Sequence, residues 1–127
     1  MRLSRRATAA ATLLFGAAGC GERAPPLRID PGPVPAEHAQ GEWLFKADCA
    51  RCHGPMASGS EIGPPLVHRY YEPNHHADAA FQRAVQFGVQ AHHWSYGPMP
   101  PVEGLTPPQV EQITGYVRWL QRQAGVY

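Results

Sequence analysis

The clearest patterning of apolar and polar positions lies near the end of the chain. Val110, Ile113, Tyr116, Val117 and Leu120 recur at helical spacing and form one apolar stripe. Thr106 stands before it as an N-cap, Pro107 fits the first helical position, and Gln109 at the third completes a capping box. Leu105 and Val110 are placed as a hydrophobic staple, and Gly125 lies just past the end. A second helix is predicted over 37–47, interrupted by no breaker except Gly41, with Gly41, Leu44 and Phe45 on one face. A third is predicted over 77–87, burying Phe81, Ala84 and Val85 and stopping at Gly88. No run alternates like a strand, so the expected fold is all-α.

The first residues follow a different pattern. Met1 to Arg6 is basic and Ala7 to Ala18 is an apolar run of 12 residues. That is too short to span a bilayer but suits a signal peptide over 1–19. Ala17-Ala18-Gly19-Cys20 resembles a bacterial lipobox, departing from it at Ala17. Lipidation of Cys20 would explain an odd cysteine in an exported chain, and simple cleavage nearby would leave it a stray thiol. Arg5-Arg6 is not followed by the apolar bulk of a twin-arginine signal, so ordinary secretion is expected. Gly21 to Ala36 carries five prolines and no apolar periodicity. With Cys20 it reads as a semi-rigid tether over 20–36, able to span roughly 50 Å. The remaining 37–127 is the folded domain.

Size and charge narrow the function. At 127 residues the chain is one domain at most, and a core this small often needs a staple. Formal charge is +1. Removing Arg2, Arg5 and Arg6 takes 11 basic residues to 8 against 10 acidic ones, near −2, which gives no reason to expect nucleic-acid binding.

Cys49-Ala50-Arg51-Cys52-His53 is the stretch that names a chemistry. C-x-x-C-H is the signature of covalent haem c attachment: two thiols face one way from a helical turn, and the adjacent imidazole is held over the iron. A dithiol redox pair would need a βαβ setting, which nothing here suggests. A zinc site needs four ligands, and the only further cysteine is Cys20 in the export segment.

From about Gly41 to Leu120 the chain resembles the class I cytochrome c family. Gly41, Phe45, Ile113 and Tyr116 are similar to the quartet at which that family's first and last helices cross. The resemblance implies an all-α fold of three to five helices around one haem c. It also implies a role for Tyr96-Gly97-Pro98-Met99-Pro100-Pro101, which looks like the family's distal methionine loop. Met99 would be the second axial ligand opposite His53, with flanking prolines restricting the backbone that presents it. Gly63-Pro64-Pro65-Leu66 resembles the proximal loop, in which the Pro64 carbonyl would accept a hydrogen bond from His53 and Leu66 would pack against the haem. Met56, three residues beyond His53, is assigned to packing. The pairs His75-His76 and His92-His93 read as solvated loop histidines, since adjacent residues point apart and neither pair is a ready chelate. His92 or His93 as sixth ligand, and Trp94, Tyr96 or Arg69 as propionate donors, remain open.

The expected function is one-electron transfer by a membrane-tethered, low-spin haem c with His53 and Met99 on the iron. No nucleophile–base constellation is visible, so neither an enzyme nor a small-molecule substrate is expected. The partners would be redox proteins and, through Cys20, the periplasmic side of a bacterial membrane, or else the soluble periplasm. The alternatives are a haem sensor or catalytic haem domain with an open or labile sixth site, a haem subunit of a larger respiratory complex, and, more remotely, a thiol or copper chaperone. Lys46 is the only lysine, so no lysine-rich docking ring exists and electrostatic steering should be weak.

Overall fold

A computed structural model describes residues 28–127. The predicted signal peptide, Cys20 and the first part of the tether lie outside the described residues. Helices α1 (Ala39–Asp48), α2 (Ala50–His53), α3 (Asp78–Phe87) and α4 (Pro107–Gln123) form the frame, joined by loops with short 3₁₀ turns. Among the described residues the only β pairing is one isolated antiparallel bridge, Val89 to Met99. The fold is all-α, and among the described residues no helix is long and apolar enough to cross a membrane.

The centre of the fold is the crossing of α1 over α4. Leu44 and Phe45 from α1 join Ile113, Tyr116, Val117, Trp119 and Leu120 from α4 in one buried cluster. Phe45 and Tyr116 meet with ring centroids 5.7 Å apart, tilted by 54°. Gly41 permits this approach. A Cβ there would lie 2.1 Å from the Gln112 carbonyl oxygen and 3.0 Å from Tyr116 Cβ. The close contact is with α4 backbone, so no rotamer change could relieve it.

Helix α4 begins as the sequence predicts. Gln109 Oε1 accepts from the Thr106 backbone N–H at 2.8 Å, closing the capping box. Besides the apolar stripe, α4 buries Thr114, Arg118 and Gln121. The Thr114 hydroxyl donates back to the Val110 carbonyl at 2.8 Å, within the helix. Arg118 and Gln121 bond outward instead, to the loop that precedes α3.

One sequence expectation is corrected. Helix α3 starts at Asp78, one residue later than predicted, and none of its residues is buried. Phe81, Ala84 and Val85 are half-buried, and α3 packs against α4. It is tied there by polar links as much as by apolar area. Asp78 accepts from Arg118 Nε at 2.8 Å, and Gln82 Nε2 donates to the Pro107 carbonyl at 2.9 Å. The last part of the predicted tether lies within the described residues. Ile29 and Val34 pack against the core, so from Ile29 onward the Pro-rich stretch is laid against the domain.

Candidate functional site

Cys49 ends α1 and at the same time caps the single turn of α2, which carries Cys52 and His53. The chain then doubles back over this turn. The Gly59 N–H donates to the His53 carbonyl at 2.7 Å, and the Ser60 hydroxyl donates to the Cys52 carbonyl at 2.6 Å. The helix-end carbonyls of the motif are thereby satisfied. Further on, the N–H groups of Leu66 and Val67 both donate to the Ala57 carbonyl, at 2.8 and 3.2 Å. That fold-back brings the Pro64 carbonyl oxygen 2.8 Å from His53 Nδ1. A carbonyl only accepts, so Nδ1 carries the proton and Nε2 keeps its lone pair. Met56 and Leu66 both pack against the buried core.

The electrostatics separate the possible chemistries. Burial pushes the Cys49 thiol up to about 12, with the charge of Asp48 and then Cys52 adding to it. A redox dithiol needs the opposite, a thiol pulled down toward neutrality. Burial also holds the His53 imidazole below its ordinary range, against the raising effect of the Pro64 bond, and so keeps it in the neutral form that binds a metal. Among the described residues, Cys49, Cys52 and His53 do not gather their donor atoms into one compact set as zinc ligands do. A protonated Cys49 thiol and Cys52 on the same turn, beside a neutral, oriented imidazole, fit thioether attachment of a haem with His53 toward its iron.

Met99 is positioned by a separate segment. Its N–H and carbonyl exchange hydrogen bonds with Val89, both at 2.9 Å, which closes the loop 89–99. Gly88, with φ +74, ends α3 and lets this pairing begin; a Cβ there would sit 2.4 Å from the Met99 carbonyl oxygen. The Val102 N–H donates to the Val85 carbonyl at 2.8 Å and ties the far side of the loop to α3. The Met99 side chain is half-buried. Trp94, inside the same loop, has its Nε1 buried without a well-formed hydrogen bond. Burial pushes the neighbouring Tyr71 hydroxyl up to about 12, opposed in part by the Trp94 indole. The Tyr71 hydroxyl is thus the oxygen nearest to hand for the indole N–H.

Two arrangements are not predicted from the sequence. One is Arg118, whose Nη1 donates to the Tyr71 carbonyl at 2.6 Å and to Gln121 Oε1 at 2.7 Å. Gln121 Nε2 in turn donates to the Leu66 carbonyl at 2.8 Å. Together they tie the loop after Pro64 to α4. The only available signal was two polar residues, 118 and 121, beside an apolar stripe. The other is the histidines. Although neighbours in sequence diverge, His75, His76 and His93 bring ring nitrogens within 4.8 Å of one another, across two loops. The Tyr70 ring stacks on His93 with centroids 4.6 Å apart.

A protein-family model described as Cytochrome c matches residues 38–121. No curated protein and no solved structure matches the chain.

Proposed function

The chain belongs to the cytochrome c family and carries a covalently bound haem c with its iron, and on that premise we propose that it passes single electrons between redox proteins with His53 and Met99 as axial ligands. The haem supplies a one-electron Fe(III)/Fe(II) couple when bound. The residues of the chain hold and tune that couple. Cys49 and Cys52 would form the thioethers, and the Pro64 carbonyl fixes the tautomer and ring angle of His53 and raises its basicity. Met99, a weak thioether donor, would favour the ferrous state relative to a second histidine.

The observation that carries this reading is the double hydrogen bond between Met99 and Val89, at 2.9 Å each way, in a loop flanked by Pro98, Pro100 and Pro101. Such a loop presents its side chain with little further loss of backbone entropy. With His53 and Met99 both holding the iron, no iron site would be left for a substrate. The test is the oxidised spectrum of the haem-loaded protein. A methionine-to-ferric-iron charge-transfer band that disappears in Met99→Ala is expected; a high-spin intact protein that binds CO readily would overturn the proposal and favour a sensor or catalytic haem domain.

We further propose that residues 1–19 direct export and that lipidated Cys20 anchors the domain on the periplasmic side of a membrane. Tethering would substitute for weak electrostatic steering by raising the effective concentration near partners. The Pro-rich stretch after Cys20 would be the spacer between anchor and domain, at about 3.1 Å per extended residue. Cys20→Ser is expected to release the cytochrome from the membrane fraction. Unchanged partitioning would refute the anchor.

A further inference from the structure

The loop 89–99 and the segment 70–76 meet in a set of histidines that the haem chemistry does not use. His75 Nε2 and His93 Nε2 lie 3.3 Å apart. Two imidazole nitrogens bound to one tetrahedral ion, each about 2.0–2.1 Å from it, are separated by roughly 3.3 Å. The His76 Nδ1 is engaged by the Tyr70 carbonyl. That bond leaves Nε2 as the free nitrogen and orients the ring, the arrangement a carbonyl gives a metal-bound histidine. One ring nitrogen from each of the three histidines lies within 4.8 Å of the other two, which is close enough for one ion to draw them together. His75 is exposed and the other two are half-buried, so an ion can reach the site from solvent.

We propose that His75, His76 and His93 form a second metal site, for one first-row transition ion of the copper–zinc class. Neutral imidazoles suit these ions, and their order of affinity places Cu(II) above Zn(II). Three protein ligands leave a tetrahedral ion one position, open to water or to His92. The His92 ring packs against His93 and His76, at centroid distances of 4.3 and 5.7 Å, and its Nδ1 is taken by the Gln90 carbonyl at 2.8 Å. Arg118, which donates to the His76 carbonyl, is paired with Asp78 at 2.8 Å. A bound ion would cross-link the loop that carries Met99 to the turn after Tyr71. This assignment rests on Met99, rather than His92 or His93, being the second iron ligand, which the Met99→Ala spectrum tests separately from the metal titration.

The test is titration of untagged, haem-loaded protein with Cu(II) or Zn(II) alone, in competition with a chromophoric chelator. One equivalent is expected, with Cu(II) bound more tightly, and nitrogen hyperfine structure in the electron paramagnetic resonance spectrum of the copper form. His75→Asn should weaken binding about tenfold or more, and His75→Asn with His93→Gln about a hundredfold or more. His38→Gln, remote from the cluster, should leave it unchanged. Both substituted side chains lie at least partly open to solvent, and a retained haem spectrum shows that the variants are folded. No binding above the chelator, or binding undiminished in the double variant, would overturn the site.

Discussion

Gly41→Ala adds one methyl group at the tightest point of the helix crossing. The new Cβ would lie 2.1 Å from the Gln112 carbonyl oxygen and 2.8 Å from its carbon. Ordinary carbon–oxygen contacts begin at about 3.3 Å, so α1 and α4 must part by roughly 1 Å. A gap of that size forfeits about a quarter to a half of the dispersion energy across the contact, and here it opens beside Phe45 and Tyr116. Overpacking of this kind costs about 1–3 kcal/mol and occasionally more. Alanine recovers about 1 kcal/mol of helix propensity. Taking the upper part of the range, because the clash is with backbone, the net loss is about 2 kcal/mol. For a domain of this size that is a fall of about 8–16 °C in Tm. The assay is urea and thermal unfolding of the haem-loaded protein, followed by far-ultraviolet circular dichroism. Gly115→Ala is the internal control. It lies in α4, where a Cβ would meet only His38 Nδ1 at 3.9 Å, so that variant should gain up to about 1 kcal/mol. If Gly41→Ala were as stable as the parent, or if both variants moved together, the close-crossing argument would be refuted.

Three further outcomes follow from other parts of the molecule. Arg118→Ala removes the donors to the Tyr71 carbonyl, Gln121 and Asp78, and should cost about 3 kcal/mol or more in urea unfolding. Asp78→Asn, at a side chain 72 % exposed, should cost under about 1 kcal/mol, and equal losses would show that the ion pair rather than the buried carbonyls matters. Gln109→Ala opens the capping box and should lower stability by about 1 kcal/mol, with the deficit seen as faster amide exchange in the first turn of α4. Burial, with the charge of Arg69 adding to it, holds His68 below its ordinary 6.5, so the unfolded chain takes up a proton that the folded chain resists. Stability is therefore expected to be full above that value and to fall on acidification through and below about pH 6.5, and a urea midpoint that rose across that window would contradict it.

The parts of this protein that could be read along the chain are those whose physics is local. The stripe Val110–Ile113–Tyr116–Val117–Leu120, the Thr106/Gln109 cap and the stop at Gly88 depend on neighbours within a few turns, and they are found in the structure with bounds shifted by a residue or two. Cys49, Cys52 and His53 are local in the same sense, since one helical turn sets their spacing. What resisted reading depends on segments far apart in sequence. The half-burial of Phe81, Ala84 and Val85 follows from how much of α3 finds a partner, which no periodicity states. Ile29 and Val34 looked like spacer residues because their contacts lie on the distant core.

The same division holds at the sites. By itself the sequence determined the cofactor, the helical class and the single turn that attaches the haem, because covalent chemistry and backbone hydrogen bonding act over a few residues. The tertiary structure alone decided that Gln121 reaches the Leu66 carbonyl and that Arg118 holds the Tyr71 carbonyl. It also decided that His93 meets His75 across 18 positions of sequence. Those contacts exist because the loops must satisfy buried carbonyls and close over α4, a requirement that belongs to the folded chain as a whole.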